Sequence, residues 1–326
     1  MGQSLTKILR KFQKPNERLS SYYIISTALI GLISIVTAVI CFDTYIWITF
    51  LLYPLIFITL CRSVVLLHDA GHYALYKKRW QNSVAGNLMG LLNLIPSEMF
   101  SYMHYMHHVA VGNLDKRHLN PELKTLTTEE YVNASTFQKL GYRIMRSVFS
   151  RVILTPLGLF LVTRIPLPML DFKGKLSALV YNVVITCLIL LAVKYNFLLA
   201  LIVGYFIPLF ACYILVSIVF YLQHQFEETN WQDSKDWSLT EASLEGSSFL
   251  IFGKFMKIVT LNIGYHHIHH LNSGIPCYNL AIAHNQIKDS ITYKEVKISK
   301  AFSHMRGKLW DVKSKKLIHY SEIKKF

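Results

Sequence analysis

Tyr22 to Phe42 runs without a single charged side chain. That is long enough to cross the roughly 30 Å hydrocarbon core of a bilayer as a helix. Thr44 to Leu67 is a second apolar run, broken only by Arg62. Asp43 alone separates the two, so they read as a tight helical hairpin. Leu176 to Val193 and Phe197 to Leu222 repeat the arrangement around the short connection Lys194-Tyr195-Asn196. The fourth run is longer than a perpendicular helix needs, which leaves its last turns free to project beyond the membrane. Gly86 to Pro96 is too short to span. Val152 to Leu170 carries Pro156, Arg164, Pro166 and Pro168, a pattern suited to a broken or interfacial helix. Both segments are expected along the membrane surface. The expected fold is therefore an all-α integral membrane protein with four spans in two hairpins.

Charge sets the orientation. Only 16% of residues are charged against 52% hydrophobic, yet the net formal charge is +15. Such a chain is too apolar for intrinsic disorder. It is also unlike a soluble nucleic-acid binder, whose basic charge comes with a polar chain. Five scattered cysteines, Cys41, Cys61, Cys187, Cys212 and Cys277, do not form a disulfide framework. Lys7, Arg10, Lys11, Lys14 and Arg18 precede the first span, and a lysine-rich stretch from Lys288 to Lys325 ends the chain. Basic segments stay on the cytoplasmic side. Both termini, and the segment between the second and third spans, are expected there. The chain then divides into spans at about 22–42, 44–67, 176–193 and 197–222, a cap from 68–175 and 223–282, and a basic tail over 283–326, all one domain.

The 14 histidines are the most informative residues. None lies inside an uncharged span, and most fall in clusters at helical spacing. His68 and His72 are four residues apart, on one helix face. His104, His107 and His108 form an H-x-x-H-H cluster, and His266, His269 and His270 repeat it. His224 stands alone just past the fourth span, and His118, His284, His304 and His319 read as surface or hydrogen-bonded core residues. Packed imidazoles repel if protonated, whereas neutral imidazole is the commonest metal ligand. With His224 the clusters offer nine nitrogens, enough for two metals with four or five protein ligands each. The absence of cysteine pairs excludes an iron–sulfur cluster. Zinc, iron, copper and nickel all accept imidazole, so the donor set alone does not select among them.

The stretches His68 to His72, His104 to Leu114 (HYMHHVAVGNL), Tyr221 to Glu227 (YLQHQFE) and Asn262 to Leu280 (NIGYHHIHHLNSGIPCYNL) resemble the membrane-bound fatty acid desaturase family. The likeness is to its bacterial omega-6, or delta-12, acyl-lipid branch, and it runs from about Leu66 to Leu280. The resemblance implies a non-heme di-iron centre with His68, His72, His104, His107, His108, His224, His266, His269 and His270 as ligands. His224 becomes a ligand only through it, and His267 falls at a variable, non-ligand position. Asp69, Glu227 and Asn262 are implied as partners for imidazole N–H groups or a metal-bound water. Tyr73, Tyr102, Met103, Met106 and Trp231 are candidates to line an acyl tunnel.

The implied reaction takes two hydrogens from adjacent methylenes of a membrane lipid's acyl chain, or of an acyl thioester, and leaves a cis alkene. It needs O2 and two electrons, and no flavin or nicotinamide fingerprint is present. By the same analogy an external carrier, ferredoxin or a b-type cytochrome, brings the electrons. The histidine boxes are shared with fatty acyl hydroxylases, carotenoid ketolases and alkane monooxygenases, which remain alternatives. A metal transporter would place ionisable ligands near the midplane of the spans, and these spans are clean.

Overall fold

A computed structural model describes residues 2–119, 124–305 and 308–323; Lys325, at the end of the expected tail, lies outside them. Four helices are long and apolar enough to cross a membrane: α1 (Glu17–Ile40), α2 (Ile46–Gly71), α7 (Phe172–Lys194) and α8 (Leu198–His224). Each agrees with an expected span to within a few residues. Asn16 caps α1 by accepting from Leu19 N, and Asp171 caps α7 by accepting from Gly174 N. α8 contains one π-helical turn, Ile202–Phe206.

Between the second and third spans lie α3 (Arg79–Asn93), α4 (Ser97–Ala110), α5 (Thr136–Met145) and α6 (Thr155–Val162). The expectation for Gly86 to Pro96 is corrected here: α3 does not lie along the membrane surface. It starts beside the head of α1, where Lys77 N donates to Glu17 Oε1 (3.1 Å) and Tyr76 and Ser21 share a hydroxyl hydrogen bond (3.2 Å). It ends beside the middle of α1, where a Cβ on Gly31 would stand 3.6 Å from Leu92 Cδ1 and 3.3 Å from Thr59 Oγ1 of α2. Gly31 lies 14 residues into α1, roughly 21 Å at 1.5 Å per residue. α3 thus descends into the bundle against α2, turns at Leu94 (φ +52°), and α4 climbs back. α3 and α4 form a re-entrant hairpin. Its apolar run is short because it need not cross.

A helix that ends at such depth leaves carbonyls that no water can reach, and each one left unsatisfied is costly. Here other elements supply the donors. Tyr205 Oη of α8 donates to Leu92 O (2.8 Å), and within the helix Tyr181 Oη of α7 adds a bond to Asn87 O (3.0 Å). Tyr213 Oη donates to Asn93 O, and Arg164 Nη2, from the turn after α6, to Leu94 O. Ile95 N closes the turn on Gly90 O at 2.9 Å.

The expected broken helix near Val152 is a π-helical turn, Ser150–Leu154, leading into α6 and bent 64° from α5. After α8 the chain forms α9 (His266–Leu271) and α10 (Cys277–Ile287). Four short strands make two ribbons. β1 (Ser248–Ile251) pairs in parallel with β2 (Lys294–Lys297), and β3 (Leu309–Asp311) pairs antiparallel with β4 (Lys316–Ile318). A tail beginning at 283 would start inside α10. The lysine-rich end is also not a free tail over 308–318. Trp310 N donates to Leu126 O and Leu317 N to Glu227 O, both at 2.9 Å, and both side chains bury against Trp231. The adjacent apolar pairs Leu309-Trp310 and Leu317-Ile318, on either side of a lysine-rich turn, are a hairpin signal that the lysine count hides.

Gly90 sits where the hairpin turn leaves no room. A Cβ there would fall on the Ile95 carbonyl oxygen and 2.7 Å from Tyr181 Oη, whereas a Cβ on Gly141 in α5 meets nothing within 4 Å. Gly90→Ala is expected to destabilise by about 1–3 kcal/mol. Gly141→Ala is expected to be neutral or slightly stabilising. Thermal unfolding of the two purified variants in detergent checks the contrast.

Candidate metal centre

All nine implied ligands converge at one end of the bundle. α2 delivers His68 and His72 from its last turn. α4 rises out of the re-entrant turn to deliver His104, His107 and His108. α8 delivers His224 as its last residue, and α9 is so short that it consists almost wholly of histidines. The nitrogens sort into two groups. His68, His72, His104, His108 and His269 form one, and His107, His224, His266 and His270 the other. Within each group the ligand atoms lie within 4.8 Å of one another. The groups are adjacent: the His108 and His270 rings are 4.3 Å apart between centroids.

The contacts are nitrogen to nitrogen. His269 Nε2 is 3.0 Å from His68 Nε2 and 2.9 Å from His108 Nε2, which is itself 2.9 Å from His104 Nε2. In the second group His266 Nε2 is 2.9 Å from His224 Nε2 and 3.1 Å from His270 Nε2, and His270 Nε2 is 3.2 Å from His107 Nε2. A neutral imidazole has one N–H and one lone pair. Chains of Nε2 atoms meeting this way cannot all be donor–acceptor pairs. Among the described residues, Nδ1 of His266, His269 and His270 has no acceptor either, although all three are buried. Protonation is not the remedy. Burial first, and then the neighbouring imidazoles, hold His72, His104, His107, His266, His269 and His270 well below the usual histidine range, and His108 is pushed down to about 3. Neutral lone pairs pointing into a shared space are what a pair of cations would satisfy, so the donor set fits two metal ions.

Two contacts orient ligands from behind. Asp69, 1% exposed, accepts from His68 Nδ1 (3.0 Å) through one oxygen and from Cys277 N (2.6 Å) through the other. His224 Nδ1 donates to Gly246 O at 3.1 Å. Each places the proton on Nδ1 and leaves the Nε2 lone pair facing inward. Gln223 and Gln225, on either side of His224, hold the end of α8. Gln223 Nε2 donates to Ile263 O (2.9 Å), and Gln225 Oε1 accepts from Arg146 Nη2 (2.5 Å). Burial and the Asp69 carboxylate push the Cys277 thiol well up, so it stays neutral and is no thiolate donor.

Several expected neighbours lie elsewhere. Glu227 is exposed, 3.9 Å from Lys316 Nζ, because the chain turns outward after Phe226 to meet β4. Asn262 (φ +65°) acts through its backbone, accepting from Tyr265 N (3.1 Å) in the turn that starts α9. Trp231 packs with Trp310 and Leu317, and Tyr73 is 51% exposed with the Arg79 guanidinium 5.2 Å over its ring, so neither lines the histidine site. Tyr102, Met103 and Met106 are half-buried on α4. His267 turns away from the site, its Nε2 3.0 Å from His284 Nδ1 and its ring stacked on Tyr293. The aromatic walls are instead Phe100, stacked parallel on His104, and Phe220, 4.9 Å from the His107 ring and 5.4 Å from that of His224. Each stands four residues before a histidine on its own helix, a signal available in the sequence. Gly246 O had none, since a backbone carbonyl carries no residue identity.

Fold and site together define a four-span helical membrane protein with a buried two-group histidine centre at one end. A model of the fatty acid desaturase family matches residues 44–301. The chain is 32% identical over 272 residues to a fatty acid desaturase of Bacillus subtilis (strain 168), which covers 81% of this chain and 75% of that protein. It is 24% identical over 238 residues to an sn-1 oleoyl-lipid 12-desaturase of Synechocystis sp., covering 70% of this chain and 65% of the relative. It is 25% identical over 243 residues to an sn-1 acyl-lipid omega-3 desaturase (ferredoxin) of Nostoc sp., covering 68% and 62%. The chain thus spans just under two thirds of each of the latter two. It belongs to the fatty acid desaturase family and is an oxidoreductase of lipids embedded in the membrane.

Asp69→Asn is expected to weaken metal retention about 10–100-fold, because the His68 tautomer is no longer held by a charged acceptor. His118→Ala, at an exposed residue whose Nδ1 meets the Asp115 carbonyl away from the histidine groups, is expected to leave it unchanged. Metal content after graded chelator dialysis, measured by plasma emission, compares the two.

Proposed function

We propose that this chain is an O2-dependent, non-heme di-iron desaturase that forms a cis double bond in the acyl chain of a membrane lipid, of the omega-6 (delta-12) type. The observation that carries it is the division of nine imidazoles, six of them buried and three half-buried, into groups of five and four, one group for each iron. The acyl-lipid substrate and the delta-12 position are supported by the relatives named as oleoyl-lipid 12-desaturases. An external carrier of the ferredoxin type is supported by the relative whose name includes ferredoxin and by the excess of basic charge, which attracts an acidic protein. The lysine- and arginine-rich termini support a cytoplasmic position for both ends of the chain and for the histidine site.

Two irons, when bound, supply the oxidising power that side-chain acid–base chemistry lacks against an unactivated methylene. In the net reaction a –CH2–CH2– pair, O2, two electrons and two protons give –CH=CH– and two waters. The chain's own residues do the rest. Five imidazoles on one side and four on the other hold the cations without adding negative charge. Asp69 and the Gly246 carbonyl keep His68 and His224 in the tautomer that presents Nε2. Phe100 and Phe220 give the site apolar walls, which suit an acyl chain and keep bulk water from reactive species.

Expression in a host without polyunsaturated lipids tests this. The membrane fatty acids should gain a chain lighter by two hydrogens, with one double bond added at a single position. A product carrying an added oxygen would mean a hydroxylase instead. His107→Ala should reach the membrane at the wild-type level and yield no detectable product; full activity in that variant would remove the metal assignment.

A further inference from the structure

The second histidine box owes its position to contacts far from any histidine. α4 carries His104, His107 and His108, and its lower end is the re-entrant turn at Leu94 to Pro96. Three successive carbonyls at that turn are each held by a different donor. Leu92 O takes Tyr205 Oη, Asn93 O takes Tyr213 Oη, and Leu94 O takes Arg164 Nη2. Arg164 is itself fixed from three sides. Its Nη1 donates to Phe160 O, its guanidinium lies 3.7 Å over the Phe160 ring, and its own carbonyl accepts from Asn182 Nδ2 of α7 (3.1 Å). Asn93 Nδ2 also donates to Ser63 Oγ of α2, the helix that carries the first box. The turn is therefore gripped by α2, α7, α8 and the segment after α6 at once.

We propose that Arg164, Tyr205 and Tyr213 form a positioning clamp that sets how far α4 rises, and so which acyl carbons face the irons. This rests on the desaturase reading of the site. A helix moves along its axis as a rigid rod, so a displacement at Leu94 is passed to His104 about 15 Å away undiminished. A misplacement of 1 Å at reacting atoms is enough to cost about 100-fold in rate. Successive carbons along an acyl chain are spaced by that same order. The three residues touch no substrate. They act through α4, and they come from two separate parts of the chain, α8 and the turn after α6, which makes the height of α4 a property of the bundle.

The test uses the full-length protein with three readouts: double-bond position, metal content, and hydrogen–deuterium exchange in micelles. Tyr213→Phe removes one hydroxyl, and Arg164→Lys keeps the charge but not the paired donors. Both should accumulate and hold the same number of metal ions per chain as the wild type measured beside them. Both should exchange the amides of Ile95 to Ser101 about tenfold faster, with His266 to Leu271 unchanged. Product with the double bond displaced by one carbon should rise to about a tenth or more of the total. Arg164→Leu should show the same changes more strongly. Should it fail to insert, the milder two decide. Unchanged exchange in both overturns the clamp. Faster exchange with a single, unmoved double bond also overturns it, since the contacts would then serve stability alone. A wild type that makes no alkene at all removes the desaturase reading and, with it, the claim about acyl carbons; the exchange result then still decides whether these side chains hold α4.

Discussion

Nine imidazoles turn ring nitrogens into one small space, and the rest of the molecule is arranged around that unfavourable convergence. No tautomer assignment satisfies it from within. His269 meets two other Nε2 atoms at about 3 Å, and its Nδ1 has no acceptor among the described residues. The pieces that supply the imidazoles come from α2, α4, α8 and α9, far apart in the chain. Ions bound there would also draw the cap together, because ligands brought from four helices would share the free energy of coordination. The spans answer to a different solvent. Their outward faces meet lipid, and their apolar content is matched to it more than to a protein core.

The second constraint is the backbone at depth. α3 stops inside the bundle, where its last carbonyls are out of reach of water. Two tyrosine hydroxyls and one guanidinium take the place of solvent. Tyrosine suits the task because its ring is at home among apolar side chains and only its tip is polar. That satisfied turn is what allows α4 to start low and rise through the bundle, so that its histidines meet those of α2 and α8.

Much of this was legible in the chain itself, and the parts that were not share a cause. Spans and histidine boxes are local patterns, set by residues within one or two turns of each other. His68 with His72, and His104 with His107 and His108, need only helix geometry to be read. α3 misled because shortness is compatible with a surface helix and with a re-entrant one. The contacts that decide, Leu92 against Gly31 and Tyr76 with Ser21, join residues about 55–61 positions apart. Glu227 misled for the same kind of reason. It follows His224 closely in the chain, but β4, some 90 residues later, draws it outward to Lys316.

Four membrane-crossing helices, the end at which the histidines gather, and their number can all be read from the order of residues. How the histidines divide depends on the packed bundle. His107 and His108 are neighbours in the chain yet belong to different groups, as do His269 and His270. Adjacent residues on a helix point about 100° apart, so each H-x-x-H-H box faces both groups at once. Which imidazole joins which group then depends on how α2, α4, α8 and α9 are set against one another. That relation is fixed by packing and by hydrogen bonds across the whole bundle, and no stretch of sequence contains it.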